Sequence, residues 1–154
     1  MSKGGKVMNK QIIRISTDSK VTIHDYPSDN YSEQNRILCE LIGNNCNIYE
    51  HVMPKRLYTV LKCNNTPRKS KAGVCVSMLI DECGLLKENE PNIIGSWLYE
   101  TDIHGNPIMG NILLVGEMWE NDGISFCGID EEVMKTLYPK VDEMAKKIKD
   151  RGEK

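Results

Sequence analysis

The chain has 154 residues, a formal net charge of −2, and ordinary shares of apolar (40%) and charged (27%) side chains, which fits one soluble domain. No apolar run approaches the roughly 18 residues that span a bilayer. The start, MSKGGKVMNK, is basic without an apolar core, so no secretory signal is expected. These features exclude a membrane protein, a secreted precursor, a disordered chain and a large multidomain enzyme.

Residues 1–10 read as a flexible leader, rich in Lys and Gly and without periodicity. Gln11–Ser16 and Lys20–His24 read as a hairpin around Asp18-Ser19. Pro27-Ser28-Asp29 supplies a turn with capping residues, and Ile37, Leu38, Leu41 and Ile42 recur at helical spacing up to Gly43. Strands are predicted at Cys46–Val52 and, after Pro54, at Arg56–Cys63, with a loop over 64–73. Val74–Ile80 is apolar on both faces and is predicted to lie centrally in a sheet.

Residues 81–90 form a polar turn. Asn92 then caps a short helix through Trp97 to Glu100. His104–Pro107 is a polar connection, Asn111–Gly116 a second central strand, Trp119–Gly123 a loop and Ile124–Phe126 a short strand. Asp130 caps a helix with Val133, Met134 and Leu137. Beyond Pro139, the stripe Val141, Met144, Ala145 and Ile148 defines an amphipathic C-terminal helix over 139–154. That stripe offers either a homodimer surface or packing on the chain's own sheet. The expected fold is α+β: one domain over 11–138 with a mixed, mostly antiparallel sheet and two or three helices.

The six cysteines (39, 46, 63, 75, 83, 127) include no Cys-x-x-Cys pair and fit no zinc spacing, and four lie in apolar stretches. Free, mostly buried thiols in a reducing cytoplasm are expected, with no metal. The sequence has no phosphate-cradling glycine loop, no G-x-S-x-G elbow and no H-E-x-x-H helix. His24, His51 and His104 are scattered singly. His51, at a strand end, is expected to be structural, and a pairing of it with Cys63 or Cys75 is a weaker alternative. Asp81-Glu82 reads as turn chemistry. No catalytic residue and no cofactor is therefore assigned.

Charge is segregated along the chain. Residues 54–80 carry Lys55, Arg56, Lys62, Arg68, Lys69 and Lys71 and no acid, whereas 81–122 hold nine acids against Lys87 alone. The basic block is the candidate anion site: Arg56, Lys62, Arg68, Lys69 and Lys71 could gather phosphates, with the planar forks of Arg56 and Arg68 best suited to them. Solvated loop charge is the plainer alternative for all five. Trp97, Tyr99 and Trp119 are candidate stacking residues and Asn92 a candidate polar contact. Core packing and helix capping are their ordinary roles.

The stretch VSMLIDECGLLKENEPN (76–92) carries a hydrophobic strand, the turn Asp81-Glu82-Cys83-Gly84, the pair Leu85-Leu86 and then Pro91-Asn92. It resembles the central motif of domain of unknown function 3846, a family of small proteins of phages, plasmids and conjugative elements. Ile108–Gly116, Ile129–Val133 and Cys46–Val52 look like that family's glycine-flanked strand, closing acidic helix start and early strand. Against that pattern, residues 54–72 look like a basic insertion. The resemblance implies a mobile-element protein working in the cytoplasm of a bacterial host, and it implies no catalytic residue.

The expected function is a non-enzymatic binding protein of such an element, an anti-defence protein that sequesters a nucleotide-type immune signal. One alternative is a protein inhibitor of a host defence or restriction enzyme, acting through the acidic 81–122 face. Another is a nucleic-acid-binding accessory protein. The expected partner is an anionic small molecule or a host defence protein, and no membrane.

Overall fold

The leading hairpin forms as β1 (Gln11–Ile15) and β2 (Val21–Asp25), paired from Gln11↔Asp25 to Ile15↔Val21. A computed structural model provides this description for residues 11–152 except 29 and 64, so the predicted leader lies outside the described residues. Helix α1 (Tyr31–Ile42) starts where Asn30 Oδ1 accepts from the Glu33 amide at 3.0 Å. It stops at Gly43, whose φ of +80° only glycine adopts cheaply. Asn44 and Asn45 continue the left-handed turn, which shortens the next strand to β3 (Tyr49–Val52).

The strand predicted at Arg56–Cys63 is instead α2 (Lys55–Thr59), a single helical turn. Pro54 sets its start, and the Leu57 amide donates back to the Pro54 carbonyl at 2.9 Å. Leu57 is fully buried, and Tyr58 reaches across to the Val76 carbonyl at 2.8 Å, so its hydroxyl takes a position a strand would have filled. Alternation of apolar residues over so short a run fits either structure. The loop that follows contains a 3-10 turn at Pro67–Lys69.

Strand β4 (Cys75–Asp81) is buried at all seven positions, as the two-faced apolar run predicted. Asn92 caps α3 (Ile93–Leu98), and α4 (Thr101–His104) is one further turn. Strand β5 runs from Ile112 to Glu120, longer than predicted, and takes in Trp119 from the expected loop. The actual turn is Asn121-Asp122, both at positive φ, joining Glu120 to Gly123 at the start of β6 (Gly123–Cys127). Two central residues of positive φ are what a tight hairpin with right-handed strand twist requires, and Asn and Asp tolerate it.

Asp130 caps α5 (Glu131–Gly152), accepting from the Glu132 and Val133 amides. Pro139 lies inside this helix, so the boundary expected at 139 is not the start of an element. Proline removes one internal hydrogen bond there. Burial of Leu137, Val141 and Ala145 on either side holds the helix together across it.

All pairings are antiparallel, in the order β2–β1–β5–β4–β3, with β6 on the far half of β5. The fold is α+β as expected, with six strands and five helices among the described residues, two of the helices single turns. One sheet face buries Ile13, Ile15, Val76, Met78, Ile112 and Leu114 against α2, α3 and α5. The other buries Ile12, Leu79, Leu113 and Val115 against Leu38 and Ile42 of α1. The apolar stripe of α5 is thus taken up by the chain's own sheet. No helix among the described residues is long and apolar enough to cross a membrane.

Candidate functional site

The basic block is dispersed into three places. Arg56, on α2, puts its fork on Asp102, with Nη1 at 2.6 Å from Oδ1 and Nη2 at 2.9 Å from Oδ2. Nη1 also donates to the Trp97 carbonyl at 3.0 Å, and the guanidinium lies 5.0 Å over the Trp97 ring. The bidentate bond from Arg56 holds the Asp102 carboxyl below the usual range. With its side chain only 13% exposed, Arg56 is committed inside the protein and drops out of the anion-binding set.

Lys62 takes a left-handed backbone (φ +64°) and borders a 280 Å³ cleft between Leu61–Cys63 and α5. Leu61 and Cys63 belong to the α5 side of the sheet.

Arg68 is elsewhere. Strand alternation puts Glu117 and Trp119 on the face of Val115, the α1 side. Arg68 lies there, its guanidinium 5.5 Å over the Trp119 ring. Trp119 is 38% exposed, and Arg68 and Lys69 are exposed on the 3-10 turn. Lys71 follows, 3.5 Å from Asp130 yet still largely in solvent. Arg56 and Arg68 therefore share no partner; each instead lies over a tryptophan, Arg56 over Trp97 and Arg68 over Trp119, pairings the sequence did not suggest.

Asn92 is fully buried, out of a ligand's reach, and both its donors are spent. Nδ2 donates to the Ile15 and Gly110 carbonyls, both at 3.0 Å, and Oδ1 accepts from the Gly95 amide at 2.8 Å. Tyr99 sits edge-on to His104 at 4.8 Å beside a 380 Å³ cleft that Glu50, His51, Lys55 and Glu100 also line. That mixture of charges does not select anions.

One cluster has no signal in the sequence beyond strand register. His51 of β3, Ser77 of β4 and Glu117 of β5 meet on the α1 side of the sheet. The Ser77 hydroxyl donates to Glu117 Oε2, and His51 Nε2 lies 2.8 Å from Ser77 Oγ and 3.5 Å from the carboxylate. Phe126 stands edge-on to His51 at 5.1 Å.

The Ser77 proton faces Glu117 Oε2, and His51 Nε2 is donor or acceptor to Ser77 Oγ according to its tautomer. Ser77 is wholly buried. The Ser77 hydroxyl and the His51 ring both lie against the buried Glu117 carboxylate.

Burial works against four of the thiols as nucleophiles. None of the six cysteines is in a disulfide. Burial pushes Cys63 and Cys75 upward, Cys127 to about 11 and Cys46 to about 12, opposite to a reactive thiolate. Among the described residues no group of His, Cys, Asp or Glu could hold a metal ion.

Three of the nine acids of the acidic segment are withdrawn from any surface site. Asp81 and Glu117 are 3% exposed, and Asp102 is engaged by Arg56. Compared with protein-family models, curated proteins and solved structures, the chain matches none.

Proposed function

We propose that this chain is a non-catalytic binding protein for an anionic, ring-bearing molecule of nucleotide type, with Arg68 and Trp119 as the seat. The observation that carries this reading is the Arg68–Trp119 stack, a cation held over a partly exposed indole. A base can lie on that indole, where stacking contributes about 1–3 kcal/mol per base. The guanidinium fork and the exposed ammonium groups of Lys69 and Lys71 would meet its phosphates. Capture requires only converging donors. The mobile-element context implied by the resemblance to domain of unknown function 3846 would make an immune signal of this chemistry the natural cargo.

Titration calorimetry with ATP, a cyclic dinucleotide and a short single-stranded oligonucleotide tests the proposal. Binding of at least one probe is expected, weakening with salt. Arg68→Ala and Trp119→Leu should each weaken it roughly tenfold, the loss of one stacking or ionic contact. Lys62→Ala, on the other side of the sheet, should leave it unchanged. Absence of binding to all three probes, or affinity indifferent to Arg68 and Trp119, overturns the reading.

A further inference from the structure

Leu85 and Leu86 are 66% and 85% exposed, yet the turn carrying them is fastened down. Lys87 Nζ donates to the Asn44 carbonyl (2.9 Å), the Asn45 carbonyl (3.0 Å) and Asp81 Oδ2 (2.7 Å). The other Asp81 oxygen accepts from the Cys83 amide, and the Asn89 amide returns to the Gly84 carbonyl. Gly84 is pressed so closely on Met109 that a Cβ would lie 2.8 Å from its carbonyl oxygen. A turn pinned in this way cannot fold its leucines inward. Leu85 borders a cleft of its own chain, and the apolar surface that both leucines still show to water is open to another molecule. Exposed Glu82, Glu88 and Glu90 surround them.

The complementary surface is on the same chain. The 280 Å³ cleft beside α5 is walled by Leu61, Cys63, Val74, Val133 and Leu137, and the exposed Thr136 also lines it. Lys62 borders it, Lys140 reaches across to the Leu61 carbonyl, and its one acid, Glu132, is paired with Lys135. The leucine turn is apolar with an anionic rim, and the cleft is apolar with a cationic one.

The turn leaves β4 after Asp81, and the cleft begins at Val74, just before β4's other end. At about 3.3 Å per residue these surfaces stand roughly 20 Å apart on a rigid strand, so they cannot meet within one molecule.

We propose that the Leu85-Leu86 turn of one copy seats in the Leu61–Leu137 cleft of a second copy. The contact is head-to-tail, so it repeats into a ring or an open chain rather than closing as a symmetric pair. The contact is small and rimmed by charge, which makes it weak and salt-sensitive.

Sedimentation of the full chain over about a hundredfold range of concentration reads the association directly. The average mass should rise with concentration and fall with added salt. Leu86→Asp spoils the turn and Thr136→Glu spoils the cleft. Both positions are exposed, and each variant should fold normally by circular dichroism and remain monomeric. Mixed in equal amounts they should form a one-to-one heterodimer and nothing larger, because one intact turn and one intact cleft remain. A parent chain that stays monomeric, a Leu86→Asp variant that still associates, or a mixture that gives no heterodimer overturns the proposal.

Discussion

The side-chain amide of Asn92 donates to the carbonyl of Ile15, 77 positions earlier in the chain, at 3.0 Å. The same nitrogen holds the Gly110 carbonyl just before β5, and the same residue caps α3. One buried side chain thus ties the end of β1, the entry to β5 and the start of a helix. Asn92→Ala would leave two carbonyls and one amide without partners in a dry site. Each such group costs about 1–3 kcal/mol, so a loss of about 3 kcal/mol or more is expected in urea unfolding. Asn92→Asp keeps the cap acceptor but turns a carboxylate toward two carbonyl oxygens, and it should also be destabilised. Recovery of full stability by Asp would show that the cap alone matters.

Gly116 sits where β5 passes from β1 to β6, and a Cβ there would run into the Gly128 carbonyl oxygen, with the Gly73 Cα at 2.8 Å. Both neighbours are backbone, and neither can rotate away. The Gly73 amide also bonds the Glu117 carbonyl and the Gly73 carbonyl accepts from Asp130, so this crossing is held on two sides. Gly116→Ala should destabilise by about 2 kcal/mol or more, as overpacking does, with a matching fall in the thermal midpoint. An unchanged midpoint would mean that the Gly73–Gly128 backbone yields.

The six thiols should react in a set order with iodoacetamide under native conditions. Cys83 is exposed and should label first. Cys46 and Cys127 are half-shielded, and burial raises them to about 12 and about 11, so near neutral pH almost none of either is thiolate. Their labelling should lag by orders of magnitude and speed up as pH rises toward those values. Mass mapping of the alkylated peptides at pH 7.5 and pH 9.5 tests this. Early labelling of Cys127 would contradict its environment.

Elements with one strong periodicity were legible in the sequence. The leading hairpin, α1 with its glycine stop, the two-faced β4 and the Asn92 and Asp130 caps all follow from local pattern. The error at Arg56–Cys63 arose because Leu57, Tyr58 and Thr59 satisfy either period, and only Pro54 and the burial of Leu57 decide the matter. Pro139 suggested a boundary, yet burial of Val141 outweighs one missing hydrogen bond.

The candidate site was readable as residue types and not as a place. Arg56 and Arg68 lie twelve positions apart on one cationic stretch, but a buried strand separates the faces they reach, and long-range partners such as Asp102 leave no local trace. The His51–Ser77–Glu117 cluster needs the register of three strands, which no single segment encodes.

Strand β5 has a consequence for how the molecule is made. Among the described residues it alone bridges the leading hairpin and β4 in the sheet, and it begins at Ile112 of 154 residues. At synthesis rates of about 5–20 residues per second, the apolar side of β1 waits roughly 5 to 20 s for its neighbour to emerge from the ribosome. A nascent chain arrested before that point would display a hairpin and an orphan strand edge, the kind of surface that chaperones recognise and that aggregates nucleate upon.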